Sequence, residues 1–269
     1  VVIGNAAERA KKVMEELYES FNCPILFTDV KSAEMIKYAS NAMLATQISF
    51  INSVANICDR VGADVTKVAE GMRLDGRIGH RAFLDAGCGY VGSCFPKDVK
   101  ALIRTAREVG FEFSILDAVE DLNEYQKRSM VKRLMNKLPS LEGKTIALWG
   151  LAFKPRTDDM REAVSLVVVE ELIRNQAKIR AFDPVAQEVA KRMFVNGVNG
   201  NISYAETPMD AATDVDALLI LTEWDEFTQI DLAALKSTMH SPIVIDGRNV
   251  FDPVVMKAHG FDYQGMGRS

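Results

Sequence analysis

The chain has 269 residues, 48% of them hydrophobic, and a formal net charge of −5. That content supports one large or two modest cores, and the acidic balance excludes an electrostatic nucleic-acid binder. No apolar run reaches the roughly 18 residues of a membrane span, and the first basic residues follow the short apolar stretch instead of preceding it, unlike a signal peptide.

A short buried strand is predicted at 1–4, a helix at 6–18 and a second strand at 25–28. Strand, helix, strand from the first residue is the pattern expected of the tail of a domain that begins earlier. Ser32 then reads as an N-cap, and no Gly or Pro interrupts the chain until Gly62, which predicts one helix of about 30 residues. Its apolar positions (Ile36, Met43, Ile48, Phe50, Ile51, Val54, Ile57) wrap more than one face. Such a helix is expected to be buried on several sides, as at a subunit interface. Asp64 suits the cap of a short helix through Met72. Pro96 suits the first position of another, with Val99, Leu102, Ile103, Ala106 and Val109 on one face and Gly110 as its stop. A third amphipathic stretch covers 115–138.

The turn-rich 139–143 segment changes the pattern. Buried strands follow at 145–149 and 178–182, with a helix between them at 161–175, and apolar runs recur at 217–221 and 243–245. Strands alternating with helices predict an α/β unit with a parallel, doubly wound sheet. The chain therefore divides into 1–30, a helical 31–138 and an α/β 141–269.

Residues 87–92, GCGYVG, spell a dinucleotide-binding fingerprint, which has meaning only between a buried strand and a helix mouth. The preceding RAFLDA is too short and polar for a central strand, and Pro96 starts the helix too late. A nucleotide is better placed in the α/β unit, where Gly150 follows one strand and Asp183 ends the next, a position that often holds a ribose-binding acid. The four cysteines (Cys23, Cys58, Cys88, Cys94) form no CxxC pair and no metal-ligand spacing, so a reduced, cytoplasmic protein without a metal is expected. Cys94 lies just ahead of a helix start, where unpaired N–H groups and the macrodipole favour a thiolate. Gly87, Gly89 and Gly92 let backbone approach a ligand. The spacing alone serves equally a small buried hydrophobe.

Five stretches carry a resemblance: AEMIKYASNAMLATQISFINSVANICDRVGAD, RIGHRAFLDAGCGYVGSCFPKDVKALI, GLAFKPRTDDMRE, DGRNVFDP and GFDYQGMGR. Spread in order over nearly the whole chain, they resemble the NAD-dependent nucleotide-sugar dehydrogenases, and within them the UDP-glucose 6-dehydrogenases. The resemblance implies the end of an NAD-binding domain at 1–30, a central helical domain for dimerisation and catalysis at 31–138, and a Rossmann-like UDP-binding domain at 141–269. It implies a four-electron oxidation of UDP-glucose with NAD as cofactor, in a homodimer formed through the long helix. SCFPKD and the KYASNA segment point to UDP-glucose, whereas GDP-mannose relatives tend to carry Trp-His at Met43-Leu44. Two alternatives stand beside this reading: another nucleotide sugar, or a UDP-binding dimerising fragment without turnover.

The same resemblance assigns residues. Cys94 matches a nucleophile that holds the aldehyde as a thiohemiacetal and then a thioester, and Asp98 an acid that positions or activates water. Lys37 and Asn41, four apart on one helix face, match a cation and an amide donor that stabilise an oxyanion. Phe83, Leu84, Asp85, Ala86 and Gly87 align with a sugar-contacting segment. Arg77 matches an arginine that reaches a neighbouring subunit's substrate. Lys154 and Arg248 match substrate-side positions, and Lys97 and Arg161 match cofactor contacts. Val91 stands where the family usually has glycine. A branched residue there is expected to strain a positive φ and crowd the substrate.

Overall fold

The computed structural model describes residues 1–5, 7–194 and 200–268. Strands β1 (Val2–Gly4) and β2 (Leu26–Thr28) pair in parallel around helix α1 (Glu8–Tyr18), with Ile3 opposite Phe27. Ala6, where the predicted first helix begins, lies outside the described residues. On this small unit Val13, Leu17 and Phe21 are exposed.

Helix α2 (Val30–Val61) is the 32-residue spine of the central part. Its cap is Asp29, not Ser32: the Asp29 carboxylate accepts the Ser32 N–H at 2.9 Å, so the helix begins two residues before the predicted cap. Gly62 ends it at φ 75°, as expected. Helices α3 (Val65–Leu74), α4 (Phe95–Glu108) and α5 (Ser114–Lys137) pack around this spine. Ala42 and Ala45 on α2 leave room for Val99, Leu102 and Ile103 of α4 and for Leu116 and Val119 of α5. Ile51, Ala55 and Cys58 instead meet Val65 and Ala69 of α3. The wide apolar wrapping of α2 therefore serves at least two intramolecular contacts.

Strands β3 (Thr145–Trp149), β4 (Lys178–Phe182), β5 (Ile202–Tyr204), β6 (Ala217–Ile220), β7 (Ile243–Asp246) and β8 (Asp262–Gln264) form one all-parallel sheet. Their order is β5-β4-β3-β6-β7-β8. The short edge strands β5 and β8 were not predicted, because three residues carry too little periodicity to be read. Alternation along each strand sends side chains to opposite faces. Ile146, Leu148 and Leu219 enter one core with α6 (Val164–Arg174), while Ala147, Trp149, Leu218 and Ile220 enter the other with Phe227, Leu235 and Met256. Parallel strands covered on both faces read as near-continuous apolar runs, as β3, β6 and β7 do, whereas β4 alternates through Lys178 and Arg180.

The 139–143 break divides the chain but not its packing. Met130, Val131 and Leu134 of α5 belong to the sheet's own core, as does Cys88. The C-terminal segment returns to the helical part, where the Val65 N–H donates to the Gly267 carbonyl at 2.9 Å. Among the described residues no helix is long and apolar enough to cross a membrane, and no group of three potential metal ligands occurs.

Candidate active site

Cys94 is the N-cap of α4 and is exposed, so its sulfur meets solvent at the positive end of a 14-residue helix. One turn on, Asp98 is buried, and its backbone N–H donates to the Cys94 carbonyl at 2.9 Å. Helix α2 brings two partners to its carboxylate. Asn41 Nδ2 donates to Asp98 Oδ2 at 2.5 Å, and Lys37 Nζ lies 3.7 Å from the same oxygen. Lys97 Nζ stands 2.6 Å from Oδ1. Burial alone would raise the Asp98 carboxyl, but Lys97, the Asn41 amide and the Lys37 charge outweigh it and hold it below the ordinary carboxylate range. Asp98 in turn holds the Lys97 ammonium above its usual value. Lys37, Asn41, Lys97 and Asp98 thus form one cluster from α2 and α4, one helical turn after Cys94, with Asp98 ionised at neutral pH.

The loop before α4 has no strand in it and packs instead on side-chain amides. The Gly87 N–H donates to Asn52 Oδ1 at 2.8 Å, and the Gly87 carbonyl accepts from Gln126 Nε2 at 2.7 Å. Asn123 of α5 closes a pair of bonds on Tyr90, accepting its N–H at 2.8 Å and donating to its carbonyl at 3.0 Å. Gly89 takes φ 109°, and a Cβ there would lie 2.7 Å from Asn123 Oδ1. Rejection of the dinucleotide fingerprint is consistent with this geometry. Val91 departs from expectation: its φ is not in the left-handed region, and its half-buried side chain packs against the sheet core beside Phe153. The expected backbone strain is absent, because the positive-φ positions of this loop are Gly89 and Gly92 on either side of it.

Across from the loop lie the C-terminal ends of β3 and β6, where the strand order reverses and nucleotides bind in doubly wound sheets. Gly150 sits there at φ 91°, and any Cβ would collide with Thr222, so the loops after β3 and β6 pass in contact. A cleft of about 330 Å³ between this edge and the loop is lined by Phe83, Asp85, Gly87, Val91, Lys154 and Arg248, among others. Arg248 Nε donates to the Leu221 carbonyl at 2.9 Å and lies 3.2 Å from Glu223, which orients the guanidinium along the cleft wall. Lys154 Nζ lies over the Phe153 ring at 5.1 Å.

Asp183 is not available to a ribose. It is fully buried, and five N–H donors converge on it. Oδ2 accepts from Leu151, Ala152 and Trp224 Nε1, and Oδ1 from Val185 and Ala186, at 2.7–3.2 Å. The residue is a brace for the loop after β3, so the ribose reading is corrected: every lone pair that could meet a sugar is occupied.

The remaining assignments divide. Leu84 is buried with Ile51, Ala55 and Val65, and its side chain cannot contact a ligand in the cleft. Ala86 lines only a smaller cavity behind the loop. Arg77 is exposed, outside the cleft, and doubly bonded to Asp75. Arg161 is exposed and clamped by Asp159, whose hydrogen bond and charge keep its guanidinium above the ordinary value. A second cleft of about 400 Å³ on the other side of the cluster is lined by Gly4, Ala33, Lys37, Tyr38, Lys97 and Asp98. Sequence reasoning missed Tyr38, Asn52, Asn123, Gln126 and Glu223. Buried amides at i and i+3 of α5 left a signal, but an amphipathic face absorbs it.

The fold is therefore an α/β protein whose all-parallel sheet has a cleft at its switch point, walled by the loop that leads to the thiol-bearing start of α4. Residues 31–125 match the central domain of the UDP-glucose/GDP-mannose dehydrogenase family, and residues 147–253 match its UDP binding domain. The chain belongs to this family. It is 48% identical over 268 residues to UDP-glucose 6-dehydrogenase YwqF of Bacillus subtilis, covering all of this chain and 60% of that one. A UDP-glucose 6-dehydrogenase of Pseudomonas aeruginosa is 44% identical, again over all of this chain and 60% of its own. The solved UDP-glucose dehydrogenase of Pyrobaculum islandicum superposes with a TM-score of 0.89 at 35% identity, over 100% of this chain and 58% of that one. The chain thus spans about three-fifths of the length of these relatives.

Proposed function

We propose that this chain is the substrate- and thiol-bearing part of an NAD-dependent UDP-glucose 6-dehydrogenase. The observation that carries the reading is the convergence of Lys37, Asn41 and Asp98 at the helix turn that presents Cys94. In a full-length protein, the primary alcohol of the hexose is oxidised to an aldehyde, and the Cys94 thiolate adds to its carbonyl carbon. The resulting thiohemiacetal oxygen carries negative charge as it forms, and the Lys37 ammonium and Asn41 amide stabilise it. Loss of hydride from that carbon gives a thioester. Water then adds, the C–S bond breaks, the thiolate is regenerated and the sugar acid leaves. Asp98, ionised and fixed by its cations, orients that water and pins Lys37 and Asn41.

NAD, when bound, supplies the acceptor for both hydrides. Lys37, Lys97 and Tyr38 line the cleft that Gly4 of β1 also borders, and the Lys97 ammonium there is a cationic donor that fits an anionic group of the dinucleotide. Arg161 is the second cofactor contact that the resemblance assigns. UDP belongs at the sheet's switch point, between Lys154 and Arg248, with the hexose towards Gly87–Val91. Met43-Leu44 and the Phe-Pro-Lys-Asp run favour UDP-glucose over GDP-mannose or UDP-N-acetylhexosamines. A homodimer forms through α2, whose exposed Met43, Phe50 and Ile57 recur every seven residues, with Val61 four residues further on at the helix end. In that assembly the exposed Arg77 guanidinium exchanges Asp75 for the partner's substrate. Four free cysteines fit a reducing cytoplasm.

Calorimetry on the chain tests the assignment. UDP and UDP-glucose should bind measurably and NAD weakly; tight NAD binding with no response to UDP would reverse it. In a full-length protein, Cys94→Ser should nearly abolish formation of the sugar acid, because an ester forms and hydrolyses more slowly than a thioester. An unaltered rate would reduce Cys94 to packing.

A further inference from the structure

The loop that walls the sugar end of the cleft is shaped by α5, an element whose described side chains make no hydrogen bond or ion pair to Cys94, Lys37, Asn41 or Asp98. Asn123 and Gln126 are each 1% exposed, and both spend their amides on this loop. Asn123 meets the N–H and the carbonyl of Tyr90 together, as a neighbouring strand would. Only an amide offers a donor and an acceptor in one side chain at that spacing. The Gly89 backbone lies flat against the same amide, with no room for a Cβ, so Gly89 and Asn123 fit as a pair. One turn further on, Gln126 donates to the Gly87 carbonyl and accepts from Asn56 of α2 at 3.0 Å. Gly87, Gly89 and Tyr90 all line the cleft. Four residues beyond Tyr90 the chain reaches Cys94.

We propose that Asn123 and Gln126 are positioning residues that set the Gly87–Tyr90 backbone as the wall discriminating the hexose end of the sugar nucleotide, and that place Cys94 through the same loop. The inference rests on the functional reading above. A packing role alone would affect folding and leave ligand preference unchanged. A positioning role affects the hexose end selectively, because the functional reading gives the UDP end to Lys154 and Arg248, which line the cleft from the other side.

The test uses Asn123→Asp, which keeps the shape but sets an acceptor against the Tyr90 carbonyl, and Gln126→Ala, which frees the Gly87 carbonyl. Each is titrated calorimetrically with UDP and with UDP-glucose. Alkylation of Cys94 by iodoacetamide is followed by peptide mass spectrometry, which separates it from the exposed Cys23. UDP affinity should stay within about twofold while UDP-glucose weakens about tenfold, the equivalent of one lost buried hydrogen bond. Cys94 alkylation should change severalfold in the same variants. Folded variants with an unchanged UDP-glucose to UDP ratio and an unchanged alkylation rate overturn the proposal. If Asn123→Asp does not fold, Gln126→Ala decides by the same two readouts. If the unsubstituted chain binds neither ligand, the functional reading falls, and the alkylation rates alone decide whether the pair positions Cys94.

Discussion

Replacing Asp183 by Asn separates a structural brace from a ligand contact. Five N–H groups converge on the carboxylate, two on one oxygen and three on the other. An amide can turn its oxygen to only one of these sides. In its better orientation Nδ2 faces the Val185 and Ala186 N–H groups, and one half-buried and one buried donor lose their acceptor. At about 1–3 kcal/mol for each, the loss is about 2–6 kcal/mol, a large share of the roughly 5–15 kcal/mol that holds a domain. Urea unfolding followed by tryptophan fluorescence reads this directly. The chain's two tryptophans, Trp149 and Trp224, are both buried in the sheet core. The unfolding midpoint should fall sharply, while UDP affinity measured well below that midpoint changes little. A loss under about 1 kcal/mol accompanied by weakened UDP binding would refute the brace and restore Asp183 as a ribose contact.

Val91→Gly should not tighten UDP-glucose relative to UDP, since no positive φ is relieved; it should lower stability by about 1–2 kcal/mol through lost packing and backbone entropy. Paired titrations and urea midpoints check this, and selective tightening of UDP-glucose would show that Val91 crowds the sugar. Phe50→Asp or Ile57→Asp should shift a dimer towards monomer in light scattering, and a wild-type chain that is monomeric at micromolar concentration contradicts the interface. Ile51→Asp, in contrast, should unfold the central part, because Ile51 is fully buried within its own chain. The Asp98 carboxyl is held below its ordinary value, so its ion pairs contribute stability at all pH above that value and lose it only as pH falls through the depressed one. The stability gap between wild type and Asp98→Asn should therefore be flat from about pH 5 upward and close below about pH 4. A gap that closes between pH 6 and 8 would mean that Asp98 titrates as a raised acid.

What the sequence by itself determined are the features written in neighbouring residues. The span of α2 between a polar cap and Gly62, the pairing of Lys37 with Asn41 on one face, the helix start just after Cys94, and the apolar strands of the sheet all follow from helical or strand periodicity and from glycine and proline chemistry within a few residues. Even there the cap fell on Asp29, since Asp29 and Ser32 are both capping residues three apart and local sequence does not say from which of them the helix starts. Only the tertiary structure decided the rest. Asp183 and a ribose-binding acid share one position at a strand end, and they differ solely in whether loops about 30 and 40 residues away deliver their N–H groups to it. Val91 reads as strained until Gly89 and Gly92 are seen to take the positive φ angles on either side. Asn123 and Gln126 look like ordinary polar residues on α5, because their partners lie 33 and 39 residues earlier in the chain. Hydrogen-bond satisfaction of a buried loop is settled by whatever packs against it, and no local pattern carries that information.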